Sequence, residues 1–230
     1  MSFMGTTTEY RVEGSLRLLW PLVVLVALVM PGAAAGAWET VVDESGLRVQ
    51  QRPYEGSPLL EVRGEIQVSA SLNAIMALLK DADYNQEWVH RSRGATILEE
   101  SGYVQAYVYG IVNAPWPIQD RDTVVRFDYA QDPETREIVI TFTNFPDLVP
   151  QEPGLVRVPD IGGFWRLRPL GNGRVDVIYQ VHGNPGGWVP TWIANYAAVM
   201  SVSETLRKLP QAVQRYAGAR SEFVRELGEE

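Results

Sequence analysis

The densest group of ionisable residues is Asp120-Arg121-Asp122, which follows a Pro- and Trp-containing segment at 114–118 and precedes a strand-like run. Two carboxylates beside a guanidinium could act as a general acid and a general base, or could bind the polar group of a ligand. The alternative is structural, because adjacent residues on a strand point to opposite faces and an Arg–Asp pair can fix the entrance of that strand. We favour the structural interpretation.

Other catalytic arrangements lack the residues they need. His90 and His182 are the two histidines, and they stand on separate predicted elements. A metal site needs several converging ligands, so we predict no metal site and no cofactor. The absence of cysteine excludes thiolate catalysis and disulfides, and there is no G-x-S-x-G motif or glycine-rich phosphate loop. We therefore predict no catalytic residue and a protein that is not an enzyme.

The charge balance excludes a further class of partner. The net charge is −8, and no run of basic residues is longer than two. Nucleic-acid binding depends on clustered Lys and Arg, so we predict no nucleic-acid partner. A hydrophobic fraction of 46% over 230 residues is sufficient for one folded domain with a substantial core.

Residues 1–37 have the features of a secretory signal peptide. Arg11 and Arg17 precede the apolar run Leu18–Met30, and small residues follow it over 31–37. We predict that the rest of the chain is exported, to the periplasm or out of the cell. The alternative is an N-terminal membrane anchor, because the segment 16–37 is long enough to cross about 30 Å of hydrocarbon. In both cases the folded domain lies outside the cytoplasm.

The elements that must position any site are mainly strands. Alternating apolar and polar residues, separated by Gly-, Pro-, Asn- and Asp-rich turns, predict antiparallel strands and hairpins. We predict strands at 38–43, 47–52, 59–68, 95–100, 103–112, 123–129, 137–145, 155–158, 163–170 and 174–182. A helix is predicted over Leu72–Lys80, capped by Ser69 or Ser71, with a short helical turn at 83–88.

The C-terminal part predicts one long amphipathic helix from Pro190 to about Tyr216, which follows a Gly- and Pro-rich turn. Such a helix is about 40 Å long, and its apolar stripe begins with Trp192, Tyr196 and Val199. So much apolar surface must lie against a sheet or a cavity. Residues 218–230 are predicted to form a polar tail.

Several motifs in order along the chain resemble the StAR-related lipid-transfer (START) domain family of the helix-grip superfamily, in a bacterial-type exported form. These are the segment 114–129 with its Arg121-Asp122 pair, the strands Phe164–Leu170 and Val177–His182, and the Pro-Gly-Gly-Trp-Val-Pro turn at 185–190. The resemblance implies an α+β fold over residues 38–217. In that fold a curved antiparallel sheet of seven to nine strands wraps around the long C-terminal helix.

The resemblance also implies a function. START domains enclose one apolar cavity, so we expect non-catalytic binding and transfer, or sequestration, of a single lipid or isoprenoid. We expect a monomer that touches a membrane surface transiently, with the segment 147–154 and the turn 184–188 opening the cavity. The expected ligand contacts are Tyr107, Tyr109, Trp116, Arg121, Phe127, Tyr129, Phe142, Trp165, Tyr179, Trp192, Tyr196, Val199, Met200 and Ser203.

Two alternatives stay open. One is a helix-grip enzyme of the polyketide cyclase or aromatase type, which would use the same cavity. Inward-facing Asp120, Asp122 or His182 would favour that enzyme. The other is an interior filled entirely by the protein's own side chains.

Overall fold

The computed structural model describes residues 36–228, so the predicted N-terminal signal or anchor lies outside the described residues. The strands are β1 Glu39–Glu44, β2 Leu47–Pro53, β3 Leu60–Ser69, β4 Ser92–Ser101, β5 Gln105–Val112, β6 Arg121–Gln131, β7 Ile138–Asn144, β8 Val156–Arg157, β9 Asp160–Gly171 and β10 Arg174–Asn184. The helices are α1 Leu72–Lys80, α2 Asn85–Trp88 and α3 Thr191–Ala212, and a 3₁₀ turn over Val213–Tyr216 continues α3.

All ten strands belong to one curved sheet. Nine follow the order β1-β2-β3-β10-β9-β7-β6-β5-β4, and the neighbours along this order are antiparallel. The two-residue β8 pairs in parallel with the start of β6. The α+β helix-grip architecture is therefore confirmed, with one short strand beyond the expected seven to nine.

One row of directly paired residues crosses the inner face of the sheet. It runs through Tyr129, Ile140, Trp165, Tyr179, Gly64 and Val49, from β6 through β7, β9, β10 and β3 to β2. Because cross-strand partners project to the same side, these residues form one continuous floor. The alternation in β6, β7 and β10 predicted this apolar face, and Ile138, Ile140 and Val177 are buried in it.

Helix α3 lies directly on this floor at Gly64. A Cβ atom there would lie 2.3 Å from Leu206 Cδ1 and 2.6 Å from Val202 Cγ1. The missing side chain thus allows the helix to approach the sheet closely. Leu206 and Val202 are fully buried, whereas no residue of α3 before Val202 is buried. The C-terminal half of α3 is therefore anchored by buried side chains. The N-terminal half has none, and it contacts the core through partly buried Ala198 and Val199 and the sheet through Asn195, whose Oδ1 accepts from the Leu60 N–H at 3.0 Å.

Helix α1 is fixed at its N-terminus by two separate side chains. The Ser71 hydroxyl accepts a hydrogen bond from the Ala74 N–H at 3.1 Å. The Glu226 carboxylate accepts from the backbone N–H groups of Leu72 and Asn73, at 3.1 and 2.9 Å. Val224, two residues earlier, is buried. The C-terminal segment predicted as a polar tail therefore packs on the domain up to the last described residues.

Several loops meet at one end of the strands, which we call the loop end. They are 54–59, 113–120, 145–155 and 185–190, as the strand registers require. The start of β1 lies at the same end, because Glu39 pairs with Gln51 near the end of β2. The preceding Trp38 ring lies against the guanidinium groups of Arg52 and Arg63, at 4.3 and 4.5 Å.

Candidate functional site

A partly open cavity of about 170 Å³ lies between the floor of the sheet, the α1–α2 segment and the middle of α3. The sheet contributes residues from six strands to its wall, and the helical side contributes residues between 79 and 89 together with Ser201 and Thr205 of α3. The full lining is Leu79, Lys80, Ala82, Asn85, Trp88, Val89, Ala95, Ile97, Glu100, Ala106, Val108, Phe127, Tyr129, Ile140, Trp165, Tyr179, Ser201 and Thr205. A concave wall that combines apolar and aromatic side chains with polar groups is typical of a small-molecule site.

The floor of the cavity is aromatic. Trp165 stacks on Tyr179 with ring centroids 4.1 Å apart and an interplanar angle of 9°. Trp88 of α2 packs against the same indole at 6.2 Å. These contacts pack two rings of the sheet against one ring of the helical wall on the side of β9 and β10.

One ion pair lies in the cavity wall. The Lys80 ammonium, at the end of α1, donates to the Glu100 carboxylate and to the Gly102 carbonyl, the latter at 2.9 Å. It also lies over the rings of Tyr103 and Tyr129, at 4.5 and 4.8 Å. The charge of Lys80 is thus balanced within the protein.

Three aromatic side chains in the wall carry a hydrogen-bond donor: Tyr129, Tyr179 and Trp88. Trp88 Nε1 is buried and has no hydrogen-bond partner among residues 36–228. Burial raises the pKa of Tyr179 to about 12, and burial followed by the charge of Glu100 raises the pKa of Tyr129. Both hydroxyl groups are therefore protonated at neutral pH and can donate. Trp88 can only donate.

The structure brings four of the sequence-predicted ligand residues into the cavity wall: Phe127, Tyr129, Trp165 and Tyr179. Phe142 is their neighbour on the floor, with its ring centroid 5.8 Å from that of Phe127 and 6.1 Å from that of Tyr179. These five side chains share the inner face because their alternation along the strands is regular.

The two tyrosines predicted on β5 lie on the outer face. Tyr107 packs edge-on against Phe145, and the Tyr109 hydroxyl lies 3.3 Å from the Asp122 carboxylate. Ala106, which precedes Tyr107, and Val108, which lies between the two tyrosines, face the cavity instead. The periodicity of two was correctly predicted for this strand, but the polar residues were assigned to the wrong face.

The helix residues among the predicted contacts lie around the cavity rather than in its wall. Trp192 and Tyr196 are exposed, Val199 and Met200 are half-buried, and the buried Ser203 hydroxyl donates to the Val199 carbonyl at 2.7 Å. The face of α3 that meets the cavity is instead formed by Ser201 and Thr205, one turn apart. The apolar stripe expected to begin at Trp192 is therefore buried only from Val202 onward.

The Asp120-Arg121-Asp122 motif has a structural role, but Arg121 is not the partner of Asp122. The fully buried Asp122 carboxylate accepts two hydrogen bonds from Arg157 of β8, at 2.9 and 3.1 Å. Arg157 also donates to the carbonyls of Pro146, Val149 and Pro150 in the 145–155 loop. Arg157 lies 35 residues from its partner in the chain, so no local sequence pattern indicates the pair.

Arg121 and Asp120 fix other parts of the loop end. Arg121, predicted as a ligand contact, donates to the carbonyls of Gln119, Pro185 and Gly186. Asp120 accepts from Arg93 at 2.8 Å and from the Ala114 N–H at 2.9 Å. Neither side chain lines the cavity, and the loops expected to open it, 147–154 and 184–188, contribute no lining residue.

Trp88 and Lys80 were not identified from the sequence as site residues. Both lie in the α1–α2 segment, and α2 has only four residues. A single turn has no hydrophobic period, so no pattern indicates which way Trp88 points. Its burial next to Trp165 follows from the tertiary packing alone.

His182 is remote from the cavity. Its ring stacks on Tyr54 at 3.7 Å on the outer side of β10, and burial lowers its pKa. Its Nε2 has no partner within the described part of the chain. Residues 36–228 contain no group of three or more His, Asp or Glu side chains that could hold a metal ion.

Comparison with known proteins decides the family. The START domain model matches residues 24–218. The chain belongs to the START domain family. The match begins inside the predicted N-terminal signal and ends at the 3₁₀ turn region, so it includes the whole sheet and α3.

Two relatives of this START domain illustrate the range of the family. An uncharacterized protein of Pseudomonas aeruginosa is 31% identical over 187 residues, which are 81% of this chain and 92% of the relative. Human phosphatidylcholine transfer protein is 26% identical over 195 residues, which are 82% of this chain and 89% of that protein.

Solved structures agree with this assignment. A STAR-related lipid transfer protein fragment from Xanthomonas axonopodis aligns with a TM-score of 0.72 and 34% identity, over 77% of this chain and 98% of the fragment. Human StAR-related lipid transfer protein 5 aligns with a TM-score of 0.71 over 80% of this chain and 88% of its own, at 21% identity, which supports the fold alone.

Proposed function

We propose that this START domain binds one lipid-like molecule in the cavity and transfers or sequesters it without changing it chemically. The observation that carries the proposal is the aromatic floor of Trp165, Tyr179 and Tyr129, which faces α1, α2 and α3 across the cavity. Burying the chains of a lipid there removes apolar surface from water, at about 25 cal/mol per Å². The named relatives that transfer lipids support the same conclusion.

The proposal requires the cavity to enlarge. Its volume of about 170 Å³ is below the roughly 300–1,000 Å³ of typical small-molecule sites. The N-terminal half of α3 is the wall best suited to move, because it has no buried residue before Val202, whereas Leu206 and Leu209 fix the other half. Outward movement of that half would lengthen the cavity along the helix.

A membrane lipid or a related isoprenoid is the proposed ligand class. Phosphatidylcholine is the first candidate to test, because the human, rat, mouse and bovine relatives carry the name phosphatidylcholine transfer protein. Their identity to this chain is 24–26%. Lipids with other headgroups are therefore tested beside phosphatidylcholine.

We further propose that the loop end contacts a membrane surface during exchange. Trp116 is 92% exposed, Trp188 is 88% exposed and Trp192 is 72% exposed, and all three belong to loops or to the helix start at this end. Indole rings favour the membrane–water interface. The chain also enters the domain here, at Trp38.

We propose that the protein is exported and acts outside the cytoplasm, because residues 1–37 have the features of a signal peptide. We also propose that it is a monomer. None of the helices within residues 36–228 is long and apolar enough to cross a membrane.

The cyclase alternative has no support from the ionisable groups that would have favoured it. Asp120, Asp122 and His182 are absent from the cavity wall. Asp122 is held by Arg157, and Asp120 by Arg93. The ionisable acid and base that do line the cavity, Glu100 and Lys80, are bound to each other. We therefore propose binding rather than catalysis.

A vesicle assay tests the proposed function. Donor vesicles containing a fluorescent lipid, first phosphatidylcholine and then other phospholipids and a polyprenyl lipid, are mixed with unlabelled acceptor vesicles. The purified protein is added in amounts from well below the labelled lipid to equimolar with it. Transfer, or stoichiometric removal of the label from vesicles, supports the proposal. Protein that neither transfers nor extracts phosphatidylcholine, other phospholipids or a polyprenyl lipid contradicts it.

A further inference from the structure

The cavity wall contains an excess of hydrogen-bond donors, and this observation narrows the ligand class. Trp88 Nε1 is buried and has no acceptor among the described residues. The Tyr179 hydroxyl lies in the same wall, and burial alone raises its pKa, with no hydrogen bond contributing. A buried donor without a partner is unfavourable, and native proteins keep few of them. An acceptor that the chain itself does not supply would satisfy both groups.

The two donors are arranged around a single ring. Trp165 stacks on Tyr179 on one side, at 4.1 Å, and packs against Trp88 at 6.2 Å. One donor therefore comes from the sheet and the other from α2, and both belong to the lining of the same cavity. Trp88 Nε1 itself is buried, so it reaches a ligand only with the enlargement of the cavity that the proposed function requires.

The charge of the wall decides which acceptor fits. Lys80 is the one cation among the described lining residues, and Glu100 neutralises it. An anionic group in the cavity would lack an unpaired positive charge, and burying such a group is costly. An uncharged acceptor meets no such penalty.

Resting on the proposed function, we infer that the ligand carries an ester or ketone carbonyl, and that Trp88 Nε1 and the Tyr179 hydroxyl donate hydrogen bonds to it. The hydrocarbon chains supply most of the affinity, and these two donors supply selectivity between lipids of equal length. A diacyl lipid has such carbonyls next to its chains, whereas a dialkyl ether lipid has only ether oxygens, which are weaker acceptors.

A competition experiment measures that selectivity. The purified full chain is equilibrated with vesicles that contain equal amounts of diacyl and dialkyl phosphatidylcholine with the same chain lengths. The protein is separated from the vesicles, and its bound lipids are extracted and quantified. The wild type should hold the diacyl lipid in about fivefold excess, as expected for one net hydrogen bond of about 1 kcal/mol.

Two variants identify the donors. Trp88→Phe and Tyr179→Phe should each bring the ratio towards one, with a smaller change in total bound lipid. Tyr54→Phe is the matched control, because Tyr54 stacks on His182 outside the cavity, and it should keep the wild-type ratio. Tyr179→Phe removes one oxygen atom only, so it decides the question even where Trp88→Phe fails to fold.

Three outcomes overturn the inference in different ways. Equal binding of both lipids by the wild type overturns it and leaves the proposed function intact. An unchanged preference in Tyr179→Phe and folded Trp88→Phe assigns the selectivity to other groups and overturns the roles of these donors. Absence of any bound lipid overturns the proposed function itself.

Discussion

At the scale of single residues, the Asp122–Arg157 pair links the sheet to the loop end. Asp122 is fully buried and the Arg157 side chain is 9% exposed, so neither charge is well solvated. Arg157 also binds three carbonyls of the 145–155 loop. The pair therefore fixes a loop that would otherwise have few contacts with β6.

Replacing Asp122 by Asn should destabilise the protein. The change leaves the Arg157 guanidinium buried without its counter-ion, and breaking a buried pair in this way costs about 3–5 kcal/mol. Urea denaturation of the two proteins measures the free energy of unfolding. Asp43→Asn is the control, because the Asp43–Arg48 pair is solvent-exposed, and little or no change is expected there. An Asp122→Asn variant as stable as the wild type would contradict the role of the pair.

The same residue should make stability depend on pH. Burial alone would raise the pKa of Asp122, but the hydrogen bonds and charge of Arg157 outweigh burial and lower it below the ordinary 3.8. A lowered folded-state pKa stabilises the fold above the unfolded pKa and loses this contribution as the pH falls through the folded pKa. The wild type should therefore lose more stability than Asp122→Asn between pH 5 and pH 3. Parallel losses in urea titrations over that range would show that Asp122 does not contribute.

At the scale of elements, the contact between α3 and β3 depends on Gly64. A Cβ at this position would overlap Leu206 and Val202, so Gly64→Ala should lift the helix and cost about 1–3 kcal/mol, as overpacking usually does. Thermal or urea unfolding measures the loss. Gly218→Ala is the control, because nothing lies within 4 Å of its added Cβ.

A second substitution distinguishes steric overlap from a general effect of alanine. Leu206→Ala removes the nearer of the two side chains that the new Cβ would meet, the one at 2.3 Å. The double variant Gly64→Ala/Leu206→Ala should therefore lose less stability than the sum of the two single variants. Additive losses would contradict the close approach of α3 to the sheet at this position.

The elements were largely predictable from the sequence, whereas their exact faces were less so. Alternation located the strands, and Ser71 gave the start of α1 because an N-cap is a local signal. The prediction that the buried stripe of α3 begins at Trp192 was wrong. Helical spacing alone does not distinguish a buried aromatic residue from an exposed one. Glu226 caps α1 although it lies 153 residues from Asn73 and 154 from Leu72 in the chain. No local sequence pattern predicts such a contact.

At the scale of the whole molecule, the two ends of the sheet differ. The loop end carries the exposed Trp116, Trp188 and Trp192, whereas Phe223 is an exposed aromatic residue at the opposite end, stacked on Tyr103. The proposal of membrane contact therefore makes a directional prediction. The sequence indicated the aromatic residues, but only the strand registers place them together.

Trp188→Ser and Trp192→Ser together should weaken sedimentation of the protein with phosphatidylcholine vesicles by at least tenfold, because each buried indole contributes to interfacial binding. Phe223→Ser should leave vesicle binding unchanged. If the double variant and Phe223→Ser lost vesicle binding to the same extent, a membrane contact at the loop end would be contradicted.

The central claim is that a lipid occupies the space between the floor of the sheet and α3. Ser201 lines that space from the helix, so Ser201→Trp should fill it, whereas Gln211→Trp adds the same side chain at an exposed site on the same helix. Native mass spectrometry after exposure to lipid vesicles is the most direct measurement. We expect one bound lipid in the wild type and in Gln211→Trp, and none in folded Ser201→Trp. An empty wild type, or a Ser201→Trp variant that carries as much lipid as the wild type, would contradict the account.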